Sequence, residues 1–335
     1  RGANSLRLGH LPDARHDPRD FRPGVQGHGP DRLDAAQRVK AERDAKNDVW
    51  FTAGSGRPHI LFVAHGDELG MTVDKLTPQG TVLLRGRGGF LPQACEARPF
   101  VIHTAKGPVD GIMLPRKDYD ARAAQPFSLD PYELYVGADS EAEASALGIA
   151  RGDQVIFKKK IVDLGPGILA TRAVDDRAGC AALLAAALET DWSKLEGRTV
   201  TCAWSVEEEI GLNGASAIAK VLKPDYVFAI DTFVSSDSPL ENKRFAYAPL
   251  GKGAVLRAFD SSMLVPKPEI RRMADLAAKR NLHAVGLFEP VVHAFPQVRD
   301  ERSVLGLVDQ VVPLVRVVQD VVQLVGVPDA VIVDQ

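Results

Sequence analysis

Ile60-Leu61-Phe62-Val63-Ala64 is an unbroken apolar run that stops abruptly at His65-Gly66-Asp67-Glu68. Apolar residues in series, without polar alternation, predict a strand buried on both faces, as inside an α/β sheet. The same texture returns twice: Thr199–Val206 runs into Glu207-Glu208-Glu209, and Tyr226–Ile230 into Asp231. Asp175-Asp176-Arg177 opens an Ala-rich segment predicted to be helical to about Leu188, and Gly211 to Leu222 fits a second helix. Strand, polar end and helix in repetition predict an α/β fold with a mostly parallel or mixed central sheet flanked by helices.

Outward from this frame the texture changes. From Gly70 to about Gly165, short β-rich pieces (Thr81–Arg85, Phe100–His103, Val109–Met113, Gln154–Phe157) alternate with Gly and Pro turns. That pattern predicts a small β-barrel or sandwich. One helix is expected at Ser140–Leu147, where Ser140 and Glu143 form a capping box. We therefore expect residues 70–165 to be a domain inserted into a discontinuous one, 32–69 and 166–335. Residues 1–31 read as an irregular arm, rich in Arg, Asp, Gly and Pro, with His10, His16 and His28 as solvent-exposed filler. Asp34 to Asn47, Ala- and charge-rich, is expected to be helical, and Asp48 to Ala53 a short strand. Pro268 to Arg280 reads as a helix, with Val285–Leu287 and Val291–Val292 as short strand pieces.

The 335 residues carry 41 basic and 44 acidic side chains, a formal charge of -3, too even for nucleic-acid or anionic-membrane binding to be the main task. Val304 to Val325 is the most hydrophobic stretch, but Asp309, Gln310, Arg316, Gln319 and Asp320 interrupt it at helical spacing. It reads as an amphipathic core helix rather than a membrane span. No apolar leader-type run follows Arg1, so no secretory signal is expected. Cys95, Cys180 and Cys202 are few and widely spaced, which predicts no disulfide framework and a reducing, cytoplasmic compartment.

In open α/β sheets, ligands bind beyond the carboxyl ends of the strands. His65, the Glu207–Glu209 triplet and Asp231 all stand at such ends, and Asp175 stands where a helix dipole favours a carboxylate. Taken singly, each is most often a turn, a cap or a solvated acidic loop. Together they are harder to dismiss, because clustered carboxylates repel and burying them unpaired costs several kcal/mol each. A pair of divalent cations removes that cost. Imidazole and carboxylate donors suit Zn or Co, and the absence of a Cys pair argues against a structural thiolate site. His65 and Asp67 lie two apart and share a side of extended chain, so Asp67 can orient the His65 ring. Two adjacent glutamates let one bind metal while its neighbour moves protons.

At these residues the chain resembles the tetrahedral (TET) aminopeptidase family, which includes glutamyl aminopeptidases and proteins once described as cellulase M. The resemblance is carried by Ala64-His65-Gly66-Asp67-Glu68-Leu69-Gly70, Val174-Asp175-Asp176-Arg177-Ala178-Gly179-Cys180, and Val206-Glu207-Glu208-Glu209-Ile210-Gly211-Leu212-Asn213-Gly214-Ala215. Pro224-Asp225-Tyr226 through Asp231-Thr232, Leu250-Gly251-Lys252-Gly253 and Glu133-Leu134-Tyr135-Val136-Gly137-Ala138 continue it.

The resemblance implies a two-metal aminopeptidase that removes the N-terminal residue of peptides. By position, Asp175 bridges two Zn or Co ions, His65 and Asp231 complete one site, and Glu209 with His293 completes the other. Glu208 is the implied general base, Asp67 steers His65, and the Asp175–Asp176 peptide bond is cis. The β-rich insert is implied to serve assembly into a homo-oligomer, up to a hollow dodecamer. The chain also departs from the pattern. The family's Gly-rich loop with a Thr-Asp pair is not found, and the stretch between Asp231 and His293 is short. His283 is a rival for the last ligand, and Glu207 stands where the family more often has Gln. A catalytically impaired member acting as a binding or scaffold protein stays open, as does a related two-metal amide hydrolase. Glycoside cleavage ranks last, since it needs metal-free carboxylates flanking a sugar.

Overall fold

The structure, a computed structural model, describes residues 40–89, 92–115, 132–165, 168–233, 235, 254–259, 263–279 and 284–286. The expectations for 1–31, 291–292 and 304–325, and for His283 and His293, lie outside these residues, as does Leu250-Gly251-Lys252-Gly253.

Strands β1 (Ala41–Arg43), β2 (Val49–Gly54), β3 (His59–His65), β12 (Thr199–Ser205) and β13 (Tyr226–Ala229) form one sheet in the order β1-β2-β12-β3-β13. β12, β3 and β13 are parallel, whereas β2 runs antiparallel to β12 and β1 antiparallel to β2. The sheet is therefore mixed. All seven residues of β3 are buried, as the uninterrupted apolar run requires. Ile60, Phe62 and Ala64 pack with Cys180, Leu183 and Ala186 of helix α3 (Val174–Glu189). Leu61 and Val63 face the other way, with Ala203 and with Ile218 of α4 (Asn213–Leu222). Helices thus cover both faces, and burial of each large β3 side chain contributes about 1.5–3 kcal/mol.

Between β3 and β12 in the chain lies a closed six-stranded barrel in the order β4-β5-β8-β7-β6-β9. Its strands are β4 (Gly70–Leu76), β5 (Val82–Arg87), β6 (Pro99–Thr104), β7 (Gly107–Met113), β8 (Tyr132–Tyr135) and β9 (Gln154–Phe157). Alternate residues fill it: Met71 and Val73, Val82 and Leu84, Phe100 and Ile102 point inward and are at most 2% exposed. A short helix, α1 (Pro92–Cys95), and the capped helix α2 (Glu141–Ala146) accompany the strands. Ser140 Oγ accepts from the Glu143 amide at 3.3 Å, but Glu143 Oε2 accepts from the amide of Asp139, one residue before the expected partner. A hairpin of β10 (Val162–Gly165) and β11 (Ile168–Ala170) returns the chain to α3. Further on, β14 (Ala254–Leu256) and β15 (Ala284–Gly286) pair in parallel beside α5 (Lys267–Lys279).

Two expectations are corrected. Of the predicted helix at 34–47, Ala41–Arg43 is strand β1, fully exposed and laid along β2. Ala and charged residues favour a helix locally, but this stretch has no apolar face to bury, and pairing with β2 wins. Asp175 and Asp176 do not adopt helical angles: their φ/ψ values are -74/112 and -114/41, and regular helix starts only after them. Cys95, Cys180 and Cys202 are buried thiols. Among the described residues, no helix is long and apolar enough to cross a membrane.

Candidate metal centre

Three parallel strands end at one edge of the sheet, and the ladder extends slightly past them. Gly66 N donates to Ser205 O at 2.8 Å, and Ile230 N to Val63 O at 2.8 Å. The residues that follow each strand are thereby brought side by side. His65, 4% exposed, is the hub. Its Nε2 lies 3.0 Å from Asp175 Oδ1, 3.8 Å from Glu208 Oε2 and 3.8 Å from Asp231 Oδ1. Three overlapping groups (His65, Asp175, Glu209; His65, Glu208, Asp231; Asp175, Asp176, Asp231) each place one donor atom per residue within 4.8 Å of the others. Among the residues expected at the site, the structure brings together His65, Asp67, Asp175, Glu208, Glu209 and Asp231; His293 lies outside the described residues.

The electrostatics show what such crowding does. Burial opposes charge on His65, yet the carboxylates of Asp175, Asp231 and Asp67 overcome it and hold its proton far more tightly than usual. Asp175 is correspondingly held below the usual carboxylate range by the His65 ring. Burial raises Glu208, and burial reinforced by Asp175 raises Glu209 to about 7. Burial and then the Asp231 charge push Asp176 to about 8. These acids retain protons where a dication would displace them. Among the described residues the donor set is one imidazole with carboxylates, which fits hard-to-borderline divalent ions, and His65 Nδ1 is buried with no hydrogen-bond partner among them.

Supporting contacts fix these candidate ligands. Asp67 receives the Glu208 amide on Oδ1 at 3.2 Å and the Glu209 amide on Oδ2 at 3.3 Å, and stands 3.6 Å from His65 Nδ1. Its carboxylate therefore joins the loop after β3 to the loop after β12. Asp176, fully buried, takes the His65 amide on Oδ2 and the Gly179 amide on Oδ1. It so caps the regular part of α3 while bracing β3. The Asp175–Asp176 peptide bond is cis. Glu68 pairs with Arg172, both largely buried, and Arg177 Nε donates to Gly66 O at 2.9 Å. Asp48, 0% exposed, accepts from the Val206 amide at 2.8 Å. The barrel reaches the site too: a Cβ on Gly88, just past β5, would lie 3.3 Å from Glu209 O.

Sequence reasoning missed Asp48, Arg172 and the buttressing of Asp176. A legible signal was the motif glycines. A Cβ on Gly179 would fall 2.2 Å from Asp176 Oδ1, and one on Gly214 2.3 Å from Asp48 Oδ1. Gly179→Ala should therefore displace the Asp176 carboxylate, losing a cap and overpacking the site, for about 2–3 kcal/mol of stability. Urea titration measures it; an unshifted midpoint would mean that Asp176 relaxes freely.

With this geometry in place, comparison with known proteins gives one family. Residues 48–286 match the M42 glutamyl aminopeptidase family, and the chain belongs to it. The FrvX protein of Escherichia coli K12 is 29% identical over 236 residues, covering 68% of this chain and 65% of FrvX. The glutamyl aminopeptidase of Lactococcus lactis is 29% identical over 228 residues, covering 65% of this chain and 63% of its own. The chain thus spans less than two thirds of the length of these relatives. Among solved structures, the Pyrococcus horikoshii TET1 peptidase superposes with a TM-score of 0.64 at 31% identity, covering 76% of each chain. That peptidase assembles into a tetrahedron or a large octahedral shell.

Proposed function

We propose that the protein is a two-metal aminopeptidase that hydrolyses the N-terminal residue from peptides. The observation that carries this reading is the convergence of His65, Asp175, Glu208, Glu209 and Asp231 at the carboxyl edge of the sheet, with donor atoms within 4.8 Å in overlapping sets. Asp175 belongs to two of those sets and is the natural bridge. His65 and Asp231 would hold one ion, and Glu209 with His293 the other. When bound, two Zn or Co ions supply Lewis-acid polarisation of the scissile carbonyl and acidify water. Glu208 is the general base: it takes a proton from the attacking water and returns it to the departing amine. Burial raises its proton affinity above that of an ordinary glutamate, which favours its accepting a proton. Asp67 fixes the backbone of both glutamates and faces His65 Nδ1, so it steers ligand and base together.

Residues 32–69 with 166–335 form the catalytic part in this reading, and 70–165 an assembly domain. Relatedness to a peptidase that builds closed shells supports a homo-oligomer, as large as a dodecamer. Ile112 and Tyr135, paired across β7 and β8 and 45% and 42% exposed, offer apolar surface for it. Three cysteines, too few and too widely spaced for a disulfide framework, favour a cytoplasmic setting. The short stretch from Asp231 to His293 favours one rival, an impaired member acting as a binding or scaffold protein.

Metal analysis decides between them. After incubation with Zn or Co, two ions per chain are expected, with hydrolysis of aminoacyl-nitroanilides that a chelator removes and either metal restores. One ion or none, with no amino-acid amide cleaved, would sink the two-metal reading and favour the scaffold one.

A further inference from the structure

The three consecutive glutamates after β12 do not share one environment. Glu208 and Glu209 donate their amides to Asp67 and belong to the donor groups around His65. Glu207 belongs to none of these groups, and its Oε2 lies 2.5 Å from Lys46 Nζ. The divergence begins in the backbone. Glu207 has φ +59, a left-handed conformation that side chains adopt at a cost, and its carbonyl accepts from Asn213 N at 3.0 Å.

Lys46 is itself held in place. It sits in the turn between β1 and β2, where Asp44 Oδ1 receives the amides of Lys46 at 2.9 Å and Asp48 at 3.0 Å. Asp48 in turn grips the Val206 amide. One short turn therefore grips two successive residues, Val206 by a carboxylate and Glu207 by an ammonium, immediately before the pair of glutamates in the site. The Lys46–Glu207 pair is 43% and 35% exposed, so it contributes little to folding stability. Its consequence lies at the site. A third glutamate, free to swing inward, is a rival ligand beside Glu209 and a rival base beside Glu208.

We propose that Lys46 is a positioning residue, whose ammonium keeps the Glu207 carboxylate outside the metal cluster and so leaves Glu208 and Glu209 their separate roles. This rests on the two-metal reading above. The test compares Lys46→Ala, Lys46→Arg, Glu207→Gln and the double variant Lys46→Ala/Glu207→Gln, by Co titration against a chelator and by kinetics. In Lys46→Ala, the Co dissociation constant should fall about three- to tenfold as an extra anionic donor becomes available, and kcat should fall by a similar factor with KM little changed. Lys46→Arg and Glu207→Gln should resemble the parent, and the double variant should regain parental Co affinity and kcat. Thermal midpoints should stay within about 2 °C of the parent throughout. Unchanged Co binding and turnover in Lys46→Ala overturns the proposal, as does a defect that Glu207→Gln fails to repair, which marks a structural role. A parent chain that binds no dication overturns the two-metal reading and this inference with it. A parent that binds two, with Lys46→Ala identical, overturns this inference alone.

Discussion

Glu208→Gln should lower kcat on an aminoacyl-nitroanilide by about a thousandfold or more while leaving folding and metal content intact. The amide matches the carboxylate in shape but cannot accept and return a proton, so water loses its base and the departing amine its acid. Little else should change. The backbone amide of residue 208 still donates to Asp67 Oδ1, whose partner is the main chain. Burial disfavours the Glu208 charge, and repulsion from Asp231, Asp67 and Asp175 adds to it against the attraction of His65, so removing the charge relieves the cluster on balance. The thermal midpoint of the metal-free protein should therefore hold or rise slightly. Both outcomes follow from one reading of the geometry, a half-buried carboxylate 3.8 Å from the His65 hub that acts as base and not as ligand. A Glu208→Gln protein that cleaves as fast as its parent moves the base elsewhere, with Glu209 the nearest alternative.

What could be read from the sequence follows a physical pattern. β3, β12 and β13 are legible because strands buried on both faces must be apolar throughout, and because parallel strands put their ends at one edge. The barrel is legible as alternation broken by turns: Met71 and Val73, or Phe100 and Ile102, point inward with other residues between them. β1 was not legible, since the Ala41–Arg43 strand owes its form to pairing with β2 and not to local preference. The site divides likewise. His65, Asp175 and Asp231 announce themselves by position. Asp48 and Lys46 do not, because each acts across some 160 residues of chain, 158 to Val206 and 161 to Glu207. Nothing in Glu207-Glu208-Glu209 says which acids face inward; the left-handed turn at Glu207 and the Lys46 ammonium decide that in space. The reach of Asp67 was half legible: its spacing from His65 puts it on the correct side, but the amides of Glu208 and Glu209 that it gathers come from another strand end.

Asp175→Asn should have the opposite signature to Glu208→Gln, losing metal and turnover together. Asp175 Oδ1 is the acid nearest His65 Nε2, at 3.0 Å, and Asp175 belongs to donor sets with Glu209 on one side and Asp231 on the other. A carboxylate could offer an anionic oxygen to each of two ions, whereas an amide offers a single neutral one. Neither ion can then be held as before, and each remaining set is left with fewer charges to repay its desolvation. Bound metal after dialysis should drop from two per chain to at most one, and kcat/KM should fall by at least about a thousandfold. Excess Zn or Co should restore little, because the missing element is the bridge and not the supply of ions. The two variants are thus diagnostic as a pair. Glu208→Gln keeps the ions and loses the chemistry, and Asp175→Asn loses the chemistry by losing the ions. If Asp175→Asn instead retained two tightly bound ions and full turnover, the carboxylates would be meeting across the cluster for another reason, and the bridge would have to be sought in Asp231, which shares donor sets with both His65 and Asp176.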